Sequence, residues 1–466
     1  MSTSAATFPV TNPATGEHLQ DVADIDADQA LQRAELAQQA FLQWREKAPR
    51  ARAEILARAH ALMIEDVERL RDLIVAENGK SRADAEAEVR YAAEFFRWYA
   101  EEAVRIGGQY TEAPAGGVRN IVTHHPVGVA LLITPWNFPA AMATRKIGPA
   151  LAAGCAVVLK PARETPLTAI AIAEILQQAG LPEGVLQIVT TTTTRKVVSA
   201  LLADDRIKKV SFTGSTPVGR TLLAQCAERV VNASMELGGN APFIVTADAD
   251  VEAAVQGAMI AKFRNSGQAC TAANRFYVHA DVAEEFIAGF GARIQELTVG
   301  DPAGGAQLGP VIHDKAAAEI REMIQAAVDE GATASHVGTL PADTATESFI
   351  APTLLRDVPA DAAILSQEIF GPVAPVVTWE DPEVMLALAN AAEVGLASYV
   401  YAGDLQQAIK IAERLEAGMV GVNRGIVSDP SAPFGGVKQA GIGREGGHWG
   451  IEEFTEPQYL SVDWSN

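Results

Sequence analysis

The sequence predicts an α/β protein built on parallel sheets, and three observations carry that prediction. From Val127 onward, short apolar runs alternate with helical segments. Those runs are apolar throughout instead of at every second residue, the pattern of strands covered on both faces. The chain has 466 residues, 48% of them hydrophobic, enough for two or three cores. Covered strands separated by helices call for right-handed crossovers in a parallel sheet, an architecture of the nucleotide-binding type.

Before that alternation the chain reads as helical. A short coil leads into a helix over residues 27–44 and a second over 49–77, where Leu56, Leu62, Met63, Leu70 and Ile74 keep close to a 3.6-residue period and Asn78-Gly79 is the stop signal. A third helix is expected over 81–106, closed by Gly107-Gly108, with Tyr91, Phe95, Phe96, Trp98 and Tyr99 packing against another domain. Residues 127–134 and 156–161 then read as buried strands. Thr165 as N-cap, Pro166 at the first helical position and Gly180 past the end frame a helix between them. Residues 185–189 and 208–214 are further strands, the second feeding a helix from about Pro217 to Ala227. A second α/β unit follows: a strand over 241–246, a helix over 251–264, a strand over 275–279, and long helices after Asp281 and Asp314. Residues 108–125 and 451–464 are short and β-like, and the threonine run at 190–194 is a loop.

Lys and Arg number 37 against 58 Asp and Glu, a net charge of -21, which repels phosphate backbones and anionic lipid and so excludes nucleic acid or membrane as the main partner. Any anionic ligand must be met by locally concentrated cations. Cys155, Cys226 and Cys270 are too few and scattered for a disulfide framework or a zinc site, and no metal is expected. Residues 1–10 lack a basic then apolar leader pattern and no run is long enough to span a bilayer, so a soluble cytoplasmic protein is expected.

Three stretches hold candidate chemistry. Gly214-Ser215-Thr216-Pro217-Val218-Gly219 lies at a strand-to-helix junction, where backbone N–H groups attract phosphate; strand-to-helix turns with glycine are also common without a ligand. Cys270 follows the polar stretch Arg264-Asn265-Ser266-Gly267-Gln268-Ala269 and reads either as a nucleophile or as a structural cysteine; Cys155 and Cys226 have the surroundings of packing residues. Glu236, before Leu237-Gly238-Gly239, is either a solvated loop carboxylate or a general base acting through water.

The blocks ITPWNFP (133–139), LKPA (159–162), FTGST (212–216), MELGG (235–239), GQAC (267–270), EIFGP (368–372) and PFGGVKQAGIGREGG (433–447) resemble, in order and over nearly the whole chain, the NAD(P)-dependent aldehyde dehydrogenases. The resemblance implies a Rossmann-type cofactor domain over 1–107 and 127–237, a catalytic domain over 238–450, and a small β oligomerisation element over 108–126 and 451–466, assembled as a homodimer or homotetramer. It implies Cys270 as nucleophile, Glu236 as the base that activates water, and Asn137 with the Cys270 N–H as oxyanion donors. For the cofactor it implies Thr134, Pro135, Trp136, Lys160, Gly214, Ser215, Gly238, Glu368 and Phe370. Where many NAD-preferring members carry a glutamate, this chain has Arg163, with Glu164 beside it. A guanidinium there tilts the expectation to NADP over NAD.

Within the family the chain is most similar to members acting on succinate semialdehyde, an aldehyde with a remote carboxylate. The resemblance implies an anion pocket of Arg145, Arg264 and Ser428. Two departures stand against it. Ala272 occupies the place of a second cysteine often found there, so no redox disulfide can form, and the loop over 424–431, with Arg424 and Asp429, differs from the usual sequence. Glutarate semialdehyde and an aromatic aldehyde such as vanillin therefore stand as alternatives, with a non-catalytic binding protein as a remote one.

Overall fold

The computed structural model describes residues 6–465. The first five residues of the expected cofactor domain, half of the stretch read for a leader, and residue 466 of the expected tail lie outside the described residues.

The first parallel sheet runs in the order Asn232–Glu236, Ile207–Thr213, Val129–Ile133, Ala156–Lys160, Leu186–Ile188. Alternate residues of its strands enter two different cores. Ala130, Leu132, Val157 and Leu159 pack under the helices Arg82–Glu102, Pro139–Ala153 and Pro166–Gln178, while Val129, Leu131, Ile133 and Val158 pack under Ala27–Trp44 and Thr194–Ala203. Double coverage is why these strands read as unbroken apolar runs. The chain leaves Val129–Ile133 in one direction for two strands, then returns to its other side for Ile207–Thr213. That reversal opens a crevice at the carboxyl ends of Val129–Ile133 and Ile207–Thr213, where ligands of open α/β sheets bind.

The second sheet has the order Thr333–Val337, Thr353–Arg356, Val373–Trp379, Ala273–His279, Ala241–Val245, Ala397–Tyr401, Met419–Val422, parallel except for its first strand. Phe243 and Phe276 face one core, Ile244 and Tyr277 the other. The segment after Phe434 then crosses back, and Gly441–Ile442 adds an antiparallel strand to the edge of the first sheet beside Glu236. A third, antiparallel sheet of Gln109–Glu112, Val118–Pro126 and Thr455–Asp463 buries little of itself and exposes Tyr110, Tyr459 and Leu460.

Three expectations need correction. The coil before the first helix contains a hairpin, Thr7–Thr11 with His18–Ala23, whose Phe8, Val10 and Val22 are buried. The helix expected over 49–77 is two, Pro49–Glu65 and Val67–Asn78, broken at Asp66, whose backbone (φ -99, ψ 18) leaves the helical region. The third helix ends at Glu102, short of the glycines. The aromatic residues of that helix divide: Phe95, Phe96 and Tyr99 are buried in the core, whereas Tyr91 lines a cavity. Among the described residues no helix is long and apolar enough to cross a membrane, and no cluster of three His, Cys, Asp or Glu is placed to hold a metal.

Candidate active site

Cys270 follows a backbone that the sequence could hardly form unaided. Asn265, Ser266 and Gly267 are consecutively left-handed, at φ 52, 53 and 78, a conformation costly for the two non-glycine residues. Side-chain bonds hold it: Gln268 Oε1 accepts from Ile312 N at 2.9 Å, Gln268 Nε2 donates to Asn265 O at 3.2 Å, and Ser266 Oγ donates to Gly309 O at 3.0 Å. Gly239 admits the loop, because a Cβ there would sit 2.1 Å from the Cys270 carbonyl oxygen. Only glycine allows so close an approach.

Cys270 stands in the wall between two cavities, and among the described residues only Met142 shares that position. The first, about 260 Å³, opens from the crevice of the first sheet and is lined by Pro135, Trp136, Asn137, Gly214, Ser215, Gly238, Glu368 and Phe370. Trp136 meets Phe370 edge to face at 5.5 Å. The helix Thr216–Ala227 begins there with no side-chain cap, so the Ser215 hydroxyl and the first N–H groups stay available to a ligand. Glu368 Oε1 accepts from Gly239 N at 3.1 Å, and burial pushes its carboxyl up to about 7. Uncapped helix start, glycine-lined entrance and position at the chain reversal together fit a dinucleotide. Thr134, Lys160 and Arg163 are not in this wall. Thr134 ties the two strand ends through its N–H to Lys160 O at 3.2 Å. Lys160 lies at the end of the neighbouring strand, where burial lowers its ammonium to about 8. Arg163 is 62% exposed and donates to Glu164 at 3.0 Å.

The second cavity, about 190 Å³, contains Arg145, Arg264 and Ser428 together with Tyr91, Phe138, Ile426 and Phe434. The two arginines differ. Arg145 is fully buried, donates to the Tyr91 hydroxyl at 2.8 Å, pairs with Glu445 at 3.5 Å and lies 4.0 Å over the Phe434 ring, with Nε unpaired. Arg264 is half-buried over Phe138 at 5.3 Å and has no carboxylate within 4 Å among the described residues. Arg424 and Asp429 are exposed and outside the lining.

Burial drives the Cys270 thiol up to about 12, with Glu368 adding to the rise and Arg145 and Arg264 opposing it. Asn137 is buried, and its Nδ2 donates to the Gln268 carbonyl at 3.1 Å, which turns the amide toward the loop that carries Cys270. Glu236, at the carboxyl end of its strand, is buried outside both linings, with Oε1 near Gly435 and Oε2 unpaired. Burial and the neighbouring Glu445 hold its carboxyl well above the usual range, against the pull of Lys146, Arg145 and Arg444.

Sequence reasoning missed four contributors. Lys146 is ion-paired with Glu445 and donates to Ser211 Oγ at 2.8 Å. Tyr91 anchors Arg145, and Met142 separates the cavities. Lys146 directly follows Arg145 and Glu445 sits inside the block 433–447, so their signal was visible, but nothing local distinguished them from solvated charges.

The Aldehyde dehydrogenase family model matches residues 1–460. A succinate-semialdehyde dehydrogenase of Paenarthrobacter nicotinovorans is 51% identical over 95% of this chain and 98% of its own length. A glutarate-semialdehyde dehydrogenase of Pseudomonas aeruginosa is 46% identical over 98% and 94%. Among solved structures, an NADP-dependent enzyme of E. coli superposes with a TM-score of 0.96 at 44% identity, covering 98% of this chain and 95% of that one.

Proposed function

The chain belongs to the aldehyde dehydrogenase family and is an NAD(P)-dependent aldehyde dehydrogenase, and from that premise we propose that it oxidises succinate semialdehyde to succinate. The observation that carries the substrate is Cys270 at the wall of a small cavity that also holds Arg264, Arg145 and Ser428. Arg264, without an internal carboxylate, is the cation for the substrate's remote carboxylate; Arg145, already bound to Tyr91 and Glu445, shapes the pocket and adds field.

In this reading Cys270 loses its thiol proton to water, favoured by Arg145 and Arg264 against the effect of burial, and the thiolate attacks the aldehyde carbon to form a thiohemiacetal. The new oxyanion takes hydrogen bonds from Asn137 Nδ2 and the Cys270 N–H. A bound nicotinamide dinucleotide supplies the hydride acceptor, held by Trp136, Ser215, the start of the helix Thr216–Ala227 and Glu368. The thioester left on Cys270 is then hydrolysed. Glu236 takes a proton from water, the oxygen attacks the thioester carbon, and the C–S bond breaks to release acid and thiol. Burial beside Glu445 raises the affinity of Glu236 for protons, which favours its taking one from water.

NADP is the favoured cofactor. Arg163 is exposed beside Lys160 and its tie to Glu164 is a surface pair of little strength, so it is free to meet a 2′-phosphate; the similarity to an NADP-dependent enzyme agrees. Glutarate semialdehyde is a second reading, favoured by the relative of that name. The division into cofactor, catalytic and oligomerisation parts is proposed with it. The exposed sheet ending in Thr455–Asp463 is then the surface joining copies of the chain into a dimer or tetramer. Pure protein given succinate semialdehyde and NADP or NAD should yield reduced cofactor and succinate in equal amounts; no reduction with either cofactor refutes the assignment.

A further inference from the structure

Two helices of the site begin with proline and have no side-chain cap of their own: Pro139–Ala153 after Phe138 and Pro166–Gln178 after Thr165. Carboxylates from elsewhere take their free N–H groups. Glu88 Oε1 accepts from Ala140 N at 2.9 Å and Ala141 N at 3.2 Å, and Glu77 accepts from Leu167 N and Thr168 N at 2.7 and 2.9 Å. Both glutamates border the junction where the helix Val67–Asn78 ends and Arg82–Glu102 begins.

Lys80 lies in that junction with its side chain wholly buried. Its Nζ donates to Glu88 Oε2 at 2.5 Å and to the Asn137 carbonyl at 2.8 Å, and it lies 3.9 Å over the Phe138 ring. The same junction reaches both flanks of Asn137. Asn78 Nδ2 donates to Trp136 O at 3.0 Å, and Asp84 Oδ2 accepts from Asn265 N at 2.9 Å, while Asn265 Nδ2 donates to Asn137 O at 2.8 Å. The backbone of Asn137 is thus tied at one oxygen both to a buried ion pair and to the nucleophile loop.

We infer that Lys80 and Glu88 are positioning residues for the oxyanion donor: the pair fixes the Asn137 backbone against the Cys270 loop, so the amide is in place before charge develops on the aldehyde oxygen. An apolar pair would fill the same space, and burying two charges is weakly stabilising at best. It would leave the Asn137 carbonyl and the Ala140 and Ala141 N–H groups short of partners. What the ion pair adds is geometry, and preorganised donors gain their effect by needing no rearrangement during reaction. The inference rests on the reading of Asn137 given above, and its test separates the two.

The measurement is the burst of reduced cofactor in rapid mixing at saturating aldehyde and cofactor, which reports steps up to the thioester. Asn137→Ala should slow it about 100- to 1,000-fold. The charge-removing double variant Lys80→Met/Glu88→Gln should slow it about 10- to 100-fold, with KM for the aldehyde changed less than about threefold. Combined with Asn137→Ala, the double variant should slow the burst no further, since there is no donor left to position. Multiplicative losses in the combination, or an unaltered burst in the double variant, overturn the positioning role while leaving Asn137 as the donor. A wild-type burst in Asn137→Ala overturns the donor reading and this inference with it. Should the double variant fail to fold, Glu88→Gln alone keeps the shape and an oxygen for the helix N–H groups; it should show a smaller burst loss with the same dependence on Asn137, and independence of Asn137 refutes the inference.

Discussion

The two cavities that meet at Cys270 handle negative charge by different means. On the proposed cofactor side the wall is mostly small, apolar or aromatic residues, with an uncapped helix start and a carboxylate, and the nearby cations Lys160 and Arg163 lie outside it. On the aldehyde side two arginines enter the wall itself. Helix N–H groups and close glycine contacts can receive a phosphate wherever a strand meets a helix. A small carboxylate has no such generic cradle and calls for a placed guanidinium. The arginines on the two sides carry very different weight as a result: Arg264 is unpaired inside a cavity, and Arg163 is paired at the surface.

The largest effect that bears on this contrast concerns the carboxylate behind both cavities. Glu236→Gln should retain the burst of reduced cofactor and cut steady turnover by about 100- to 10,000-fold, as loss of a general base does; unchanged turnover would remove Glu236 from the mechanism. The same variant has a stability signature. Glu236 holds its proton in the folded state above its ordinary value of 4.5, through burial and Glu445. The stability it contributes is complete below that ordinary value and is lost as pH rises through the raised one. The glutamine variant has no such loss, so its Tm should gain on the parent's as pH goes from about 4.5 to neutrality; a constant difference would contradict the shift.

A smaller effect tests the aldehyde side. Arg264→Ala should lower kcat/KM for succinate semialdehyde by about 10- to 100-fold, the worth of a charge-assisted hydrogen bond, and barely alter that for butanal. Equal losses for both would mean that Arg264 supports packing alone. The smallest effect belongs to the cofactor side. Arg163→Glu should move the NADP-to-NAD preference toward NAD by about three- to tenfold, the scale of an exposed charge. A larger reversal would show that Arg163 moves fully onto the cofactor and would erase the contrast between the two sides.

Much of this was legible in the sequence. The boundaries Ala27–Trp44, Ala156–Lys160 and Ala241–Val245 follow the apolar pattern closely, because strands and helices with both faces or one stripe buried must write that requirement into consecutive residues. The N-terminal hairpin was missed because its partner strand, His18–Ala23, buries only Val22 and shows no alternation. The break at Asp66 was missed because the apolar residues on either side keep nearly one period. Cys270, Glu236 and Asn137 were named from their motifs, as were Trp136, Ser215 and Glu368 in one wall and Arg145, Arg264 and Ser428 in the other, whereas Tyr91 and Met142 carry no motif signal.

The sequence alone determined the α/β alternation and the family, and it nominated the reacting groups, since these rest on local period and on short motifs. Tertiary structure decided which charges face a cavity and which face each other. Arg145 with Tyr91 and Glu445, Lys146 with Glu445, and Lys80 with the Asn137 carbonyl join residues distant along the chain. A buried charge is tolerable only beside a partner. Composition shows how many charges there are; only the folded chain brings the partners together.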